Sequence, residues 1–567
     1  MKQRTHLYMA DFETTVEMQY RVEGRVRVWA WAIEEVDGHQ KQYWGEKLED
    51  FIDFFQGKRA NIYFHNLKFD GSYLLDYWMG KGVTLGDKGD KEYIKTLIDG
   101  HGSWYMLEYH NEETKTHLWF KDLLKKYRMP LESIAKIFGI EGKAPLLLGY
   151  RPLNREVTDW EWDRVLGDVR IGAVALRYQL VNMLTGLTVA SDAMRCYKDF
   201  IGTDEYDRRH PKLGLDLDQI LRKAYRGGWT FLNPMYKEID VENVMIYDIN
   251  SMYPAVMAGM HNERLPRGFP ARREPSYQIR EDQLEIVKVD LDLRLKKNAL
   301  PWIHYKNCWG HTSEEYIIDE EAITLTLTTP DLELLELTYD TPRFEVLEKY
   351  VFSSEIGQFR DFVFHQNDIK IKAGKEGNGG KRQEAKDMMN TVSGKFALNP
   401  MSSIKVPHYE DGQIKYSIEE DIRTPLYCPT SCFITAHSRK RIVTDAMKFG
   451  SQFVYADTDS LHILVGDIDP EDILETDKYE LGKYCKEDQY KRGRYLRAKA
   501  YYHDDGEGSE KLEVKCGGMP QRVKDTVTWD NFRIGNIFDG KLIGKVVPGG
   551  YMLSECKYKI QEKEGWR

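Results

Sequence analysis

The chain has 567 residues, 41% hydrophobic and 12% aromatic, which is enough apolar material for several cores and predicts a multidomain globular protein. The seven cysteines (196, 308, 428, 432, 485, 516 and 556) are odd in number and contain no CxxC pair, which speaks against zinc and for free thiols in a reducing compartment. The N-terminus turns acidic too early for a secretory core, and no apolar run approaches ~18 residues, so a cytoplasmic, non-membrane protein is expected. The net charge of −10 argues at first sight against a polyanionic partner, although basic runs stand at 370–386, 437–441 and 490–502.

Residues 1–189 read as one α/β unit, with strands near 6–13, 26–34 and 60–65 and a long helix near 160–184. In "YMADFETT", Asp11 and Glu13 alternate onto one strand face with Met9, while Phe12 points the other way. "YFHNLKFDGSYLL" ends a strand and starts a helix with Asp70 on its first turn. In "WDRVLGDVRIGAVALRYQL", Val165, Val169, Ala173, Leu176 and Leu180 are apolar at helical spacing, and Asp168 projects beside them. Taken singly, each of these acids is more often an unrelated surface residue.

"YRGG" (225–228) breaks the chain before a strand, Val244 to Ile249, that carries Asp248 and leads into Ser251, Tyr253 and Pro254. Residues 260–357 look like an insertion with its own small fold. A helical hairpin then brackets the Gly-rich "AGKEGNGGK" (373–381). On its second helix Arg382, Lys386 and Asn390 fall at i, i+4 and i+8, while Ala385, Met389, Val392 and Phe396 line another face. The segment after Phe396 reads as a β-hairpin with Asp411-Gly412 at its turn.

"FVYADTDSLHI" (453–463) sets Asp457 and Asp459 at a tight turn between two apolar strands. Turn propensity alone accounts for such spacing; so does a divalent-cation site built from hard oxygen ligands. If the Asp248 strand lies beside this hairpin, three carboxylates meet in one cavity, and their repulsion calls for cations. Two magnesium ions roughly 4 Å apart would relieve it and could clamp an in-line phosphoryl transfer. The run "YKRGRYLRAKAYY" (490–502) interleaves five basic residues with Tyr, as a phosphate-tracking, base-stacking groove requires. A solvated face is the plainer reading of that run.

In order along the chain, "DINSMYP", "KDMMNTVSGK", "YADTDS" and "KAY" (499–501) resemble motifs A, B, C and KxY of family B DNA polymerases. With "YRGG", the two inserts and the compact length, the chain resembles the protein-primed subgroup of bacteriophages, over nearly its whole length. The resemblance implies an RNase H-like 3′–5′ exonuclease domain (1–189) and a right hand. The hand would comprise palm (190–259 and 427–524), fingers (358–396), thumb (525–567) and two terminal-protein-region insertions (260–357 and 397–426). The palm would be an antiparallel sheet flanked by helices.

The resemblance also assigns roles. Asp248, Asp457 and Asp459, with the Ile249 carbonyl, would hold metal. Tyr253 would stack under the incoming sugar, and Lys386, Asn390, Arg382 and Lys370 would bind nucleotide. Tyr225, Gly227, Gly228, Lys395, Lys499 and Tyr501 would bind DNA. "DFET" and "HNLKFD" match the exonuclease nearly verbatim, making Asp11, Glu13, Asp70 and Asp168 its metal carboxylates and Lys143 a helper. Thr14, His65, Asn66 and Phe69 would bind the single-stranded 3′ end. Implied cofactors are two Mg2+ per site, with Mn2+ as a substitute. Implied partners are primer-template and single-stranded DNA, dNTPs, a terminal protein and a single-strand-binding protein, around a monomeric enzyme that is processive and strand-displacing.

Two positions depart from the pattern. Ser393 stands where the family has Tyr before the motif B glycine, which bears on nucleotide affinity and fidelity. Arg164 stands where the family has the exonuclease Tyr four residues before Asp168; either Tyr150 or Arg164 could orient the attacking water. Two rival readings are a family B polymerase with conventional or unaided priming, and a non-catalytic DNA-binding scaffold.

Overall fold

The computed structural model describes residues 4–15, 17–141, 151–152, 155–306 and 316–562. Lys143, Tyr150 and Cys308 lie outside them. The first unit is a seven-stranded sheet running, edge to edge, Gln42–Gly45, Val28–Glu35, His6–Thr14, Arg59–Phe64, Thr116–Asp122, Trp104–Asn111 and Glu92–Ile98. Only the pairings on either side of Arg59–Phe64 are parallel. Alternation in the first strand splits its side chains between two cores. Phe12 packs into one beside Phe51 and Phe64, and Met9 into the other beside Val165 and Val169 of the Asp159–Val181 helix. That helix approaches closely at Gly172, where a Cβ would come within 2.5 Å of the Met9 side chain. The glycine therefore sets Asp168, one turn earlier, against the strand.

The second seven-stranded sheet is antiparallel throughout. Its order is Leu512–Cys516, Ala500–Asp504, Tyr484–Arg497, Asp240–Ile249, Ser460–Leu464, Phe453–Asp457 and Thr230–Leu232. The Pro429–Met447 helix packs on it through Ile442, Val443 and Ala446. The 260–357 segment has its own five-stranded sheet but not its own core. Val289, Leu291 and Leu325 share one apolar cluster with Trp229, Tyr247 and Phe453. The expectation of an independent small fold is corrected on that point: a sheet this size with one strongly apolar face has to bury it against a neighbour.

Met401–Glu410 and Gln413–Ile422 form the expected hairpin. Asp411 and Gly412 both have positive φ (53° and 76°), as a two-residue turn matched to strand twist requires. A second ribbon, Ile537–Val547 with Gly550–Lys559, lies near the C-terminus. Both ribbons reach back to the first unit, where Ile414, Val547 and Met552 join its core.

Candidate active sites

Asp248 and Asp459 meet because their strands are neighbours. Ser460 is in register with Asp248, and the Ile249 amide donates to the Asp459 carbonyl at 2.9 Å. The turn between the strands holds Thr458 at φ 66°. The Thr458 amide donates to the Trp229 carbonyl at 2.7 Å, which ties the aspartate hairpin to "YRGG". A Cβ on Gly228 would fall 2.7 Å from the Thr458 side chain, so this position has room only for glycine. Burial, the Asp459 charge and Glu487 push Asp248 up to about 8; burial, Asp457 and Glu487 push Asp459 up to about 6. Lys386 opposes the shift on Asp248.

Asp457 is turned differently. Its Oδ1 accepts from the Thr230 hydroxyl at 2.9 Å and lies 3.3 Å from the Lys499 ammonium. Three acids closed tightly on one point were expected. Among the described residues that tight arrangement occurs only in the first unit; Asp248, Asp457 and Asp459 instead share the lining of one cavity, with Asp457 also bonded to Thr230 and facing Lys499. Glu487 completes the acidic rim. It is the extra residue of a bulge in Tyr484–Arg497, between Lys486 and Asp488, and strand periodicity gave no sign of it. The site opens into a cavity of about 1110 Å3 whose lining includes Asp248, Asp457, Asp459, Glu487, Lys499 and Tyr501.

The Gly379–Phe396 helix forms as its periodicity predicts. Ala385, Met389, Val392 and Phe396 are buried, Arg382 and Lys386 are exposed, and Asn390 is half-buried. Burial lowers the Lys370 pKa, and Arg382 and Lys386 add repulsion, so three cations gather at this face. Ser393 is buried, its hydroxyl donating to the Asn390 carbonyl at 3.2 Å within the helix. Burial pushes Tyr253 up to about 12, with Tyr225, Asp459 and Asp457 close enough to contribute. Lys395 lies 3.5 Å from the Ser191 hydroxyl.

Two basic runs are corrected. Arg494 is buried and forked onto Asp240 (2.6 and 2.8 Å), Arg492 pairs with Asp504, and both stack near Trp529. In "HSRKR", Arg439 is buried against Asp331 at 2.5 Å and donates to the Gly227 carbonyl at 3.0 Å. Arg226 reaches the same Asp331 at 3.4 Å. Burial works to raise the Asp331 pKa, and the two guanidiniums more than reverse it. These arginines are internal ties, chosen for forked carboxylate geometry. Of the five basic residues in 490–502, Lys499 is the one set against the aspartates. Beneath it the Tyr495 hydroxyl links His462 and His503 (2.8 Å each), and Tyr501 lies among their rings. This buried layer had no sequence signature beyond scattered aromatic residues.

In the first unit, carboxylate oxygens of Asp11, Glu13 and Asp168 lie within 4.8 Å of one another. Asp70 sits just outside this triplet, at 2% exposure, its Oδ1 accepting from the Phe12 amide at 3.1 Å. Burial raises its pKa well above the ordinary range, and the charges of Glu13 and Asp122 add to it. The helix bearing Asp70 starts from Asn66, held left-handed (φ 75°) by its amide's 2.9 Å bond to Asp122. His65 is half-buried just before it, and Thr14 ends the first strand. Phe69 packs edge-on against Tyr551 of the C-terminal ribbon, whose carbonyl accepts from the Tyr73 hydroxyl at 2.6 Å. Arg164 Nε lies 2.7 Å from Glu13 Oε1, with 3% of its side chain exposed.

Both donor sets, hard oxygens with cations across from them, suit divalent ions bound with phosphate. Among the described residues no helix is long and apolar enough to cross a membrane.

The sequence model of the family described as "DNA polymerase type B, organellar and viral" matches residues 174–477. The DNA polymerase of Bacillus phage phi29 is 34% identical over 98% of this chain and 99% of its own. The phi29 polymerase structure complexed with primer-template DNA superposes with a TM-score of 0.90 at 32% identity, over 98% of this chain and 100% of that one. The ternary complex with primer-template DNA and incoming nucleotide substrates gives 0.89 at the same identity and coverage.

Proposed function

This chain belongs to the viral and organellar family B DNA polymerases of the phi29 type, and from there we propose a protein-primed, strand-displacing replicase that edits its own 3′ ends. The observation that carries the synthetic half is Asp248 beside Asp459 at the floor of a cavity, with Lys386 close enough to Asp248 to oppose its shift. A primer 3′-hydroxyl, or at initiation a hydroxyl of a terminal protein, attacks the α-phosphorus of a dNTP, and pyrophosphate leaves.

Asp248 and Asp459, with Asp457 and the Ile249 carbonyl, would hold two magnesium ions, or manganese in their place. When bound, these supply charge stabilisation at the attacking and leaving oxygens. Lys386, Lys370 and Arg382 take the triphosphate, as a cluster of mutually repelling cations is suited to do. Asn390 and Tyr253 position base and sugar. Lys499 and Tyr501 seat the primer end, and Lys395, Tyr225, Gly227 and Gly228 guide the template. Domain limits follow the sequence assignment, from the exonuclease at 1–189 to the thumb at 525–567.

The editing half rests on Asp11, Glu13 and Asp168 meeting beside buried Asp70. Thr14, His65, Asn66 and Phe69 line the approach of a single-stranded end. The test is extension of a primed circle with each dNTP, and of a terminal protein on an unprimed origin fragment. Long displaced product in the first and nucleotide attached to the protein in the second are expected. Extension of the circle without any transfer to protein would leave a polymerase with ordinary priming.

A further inference from the structure

The two carboxylate sites differ in what faces their acids. Lys499, 3.3 Å from Asp457, has 51% of its side chain exposed to solvent. Arg164 is 3% exposed, fixed on the helix that also carries Asp168, and bonded to Glu13 at 2.7 Å. A guanidinium keeps its charge at any working pH, and with Arg164 buried and Glu13 only 15% exposed, removing its carboxylate partner leaves a charge with little water to solvate it. Glu13 is one of the three acids whose oxygens converge within 4.8 Å. A divalent ion entering there has to take a Glu13 oxygen from Arg164 or share it, against a fixed positive charge.

We propose that Arg164 is a positioning residue that competes with divalent cations for Glu13 and so sets the cation affinity of the editing site. This rests on the reading of that triplet as the exonuclease centre. The helix brings the side chain in by geometry alone: Arg164 lies one turn before Asp168, and the close approach at Gly172 presses both against the strand bearing Glu13.

The experiment uses the full chain with Asp457→Asn and Asp459→Asn, which silences the other site. Free Mn2+ is followed by electron paramagnetic resonance during titration. Arg164→Leu and Arg164→Gln should each tighten binding by about tenfold or more, and Arg164→Lys by less. Adding Glu13→Gln to the Leu variant should abolish the gain. Near-ultraviolet circular dichroism identifies a misfolded variant, and either neutral substitution that folds suffices. Unchanged or weaker Mn2+ binding in a folded neutral variant overturns the proposal. Degradation of single-stranded DNA is measured on the same proteins. Tighter binding with no degradation in any of them would sink the exonuclease reading and leave the competition standing. Normal degradation with unmoved affinity would sink the competition alone.

Discussion

The acids of the polymerase hairpin and those of the first unit face the same electrostatic problem and meet it in different ways. At the hairpin, burial and neighbouring acids raise Asp248 and Asp459 toward their protonated forms, and the nearest lysine, beside Asp457, is half-exposed, so repulsion among the acids is left for arriving ions to relieve. In the first unit burial raises Asp70 in the same way, but a buried arginine already pairs with one of the other acids. The framework differs too. The hairpin pairs directly with the Asp248 strand, and its turn is tied further through Thr458, Trp229, Gly227 and the Arg226–Asp331–Arg439 cluster. The triplet is held by a strand and a 23-residue helix in direct contact. The plainest difference is that a cation of the protein itself is already bonded to an acid of the first unit's triplet.

The sharpest way to break this contrast is to empty each site in turn. Asp457→Asn with Asp459→Asn should reduce nucleotide incorporation by ~1000-fold or more while single-stranded DNA degradation persists. Asp11→Ala with Glu13→Ala should do the reverse. If either pair lowered both activities equally, the two sites would not be independent. Next in size, Asp331→Ala leaves two buried guanidiniums without their shared acid. It should cost about 3–5 kcal/mol in the unit that carries the hairpin, seen as an early thermal transition, with Mn2+ binding at the first unit unaffected below it.

The smallest effect is a pH dependence. The Asp248 pKa is raised to about 8 in the folded chain, against 3.8 for the ordinary group. Between those values the folded state holds more protons than the unfolded one, so stability falls as pH rises. Metal-free protein should melt progressively earlier from pH 5 to 8, and Asp248→Asn should flatten that slope. Melting that is equally pH-dependent in both proteins would show that Asp248 is not strained by its neighbours.

Much of this was legible because the signals were local. Asp457 and Asp459 lie two apart in a two-strand pattern, and the Arg382, Lys386, Asn390 face follows from helical spacing. Asp11 and Glu13 share a face with Met9 for the same reason. What was not legible depended on distant pairings. Arg494 looks like part of a groove until Asp240, 254 residues away, closes on it. Glu487 enters the site only through a bulge. Asp457 shares a cavity with the other two acids as expected, but its bond to Thr230 and its contact with Lys499 had no local signal. Arg164 read as a missing tyrosine, and its bond to Glu13 required knowing which face of a long helix meets the first strand.

Anomalous diffraction from manganese-soaked crystals of the chain with primer-template DNA and a non-hydrolysable dNTP tests the central claim most directly. Two peaks should appear among the carboxylates of Asp248, Asp457 and Asp459, each about 2.1 Å from its oxygen ligands. Ordered DNA and nucleotide with no peak at Asp248 and Asp459 would contradict the account.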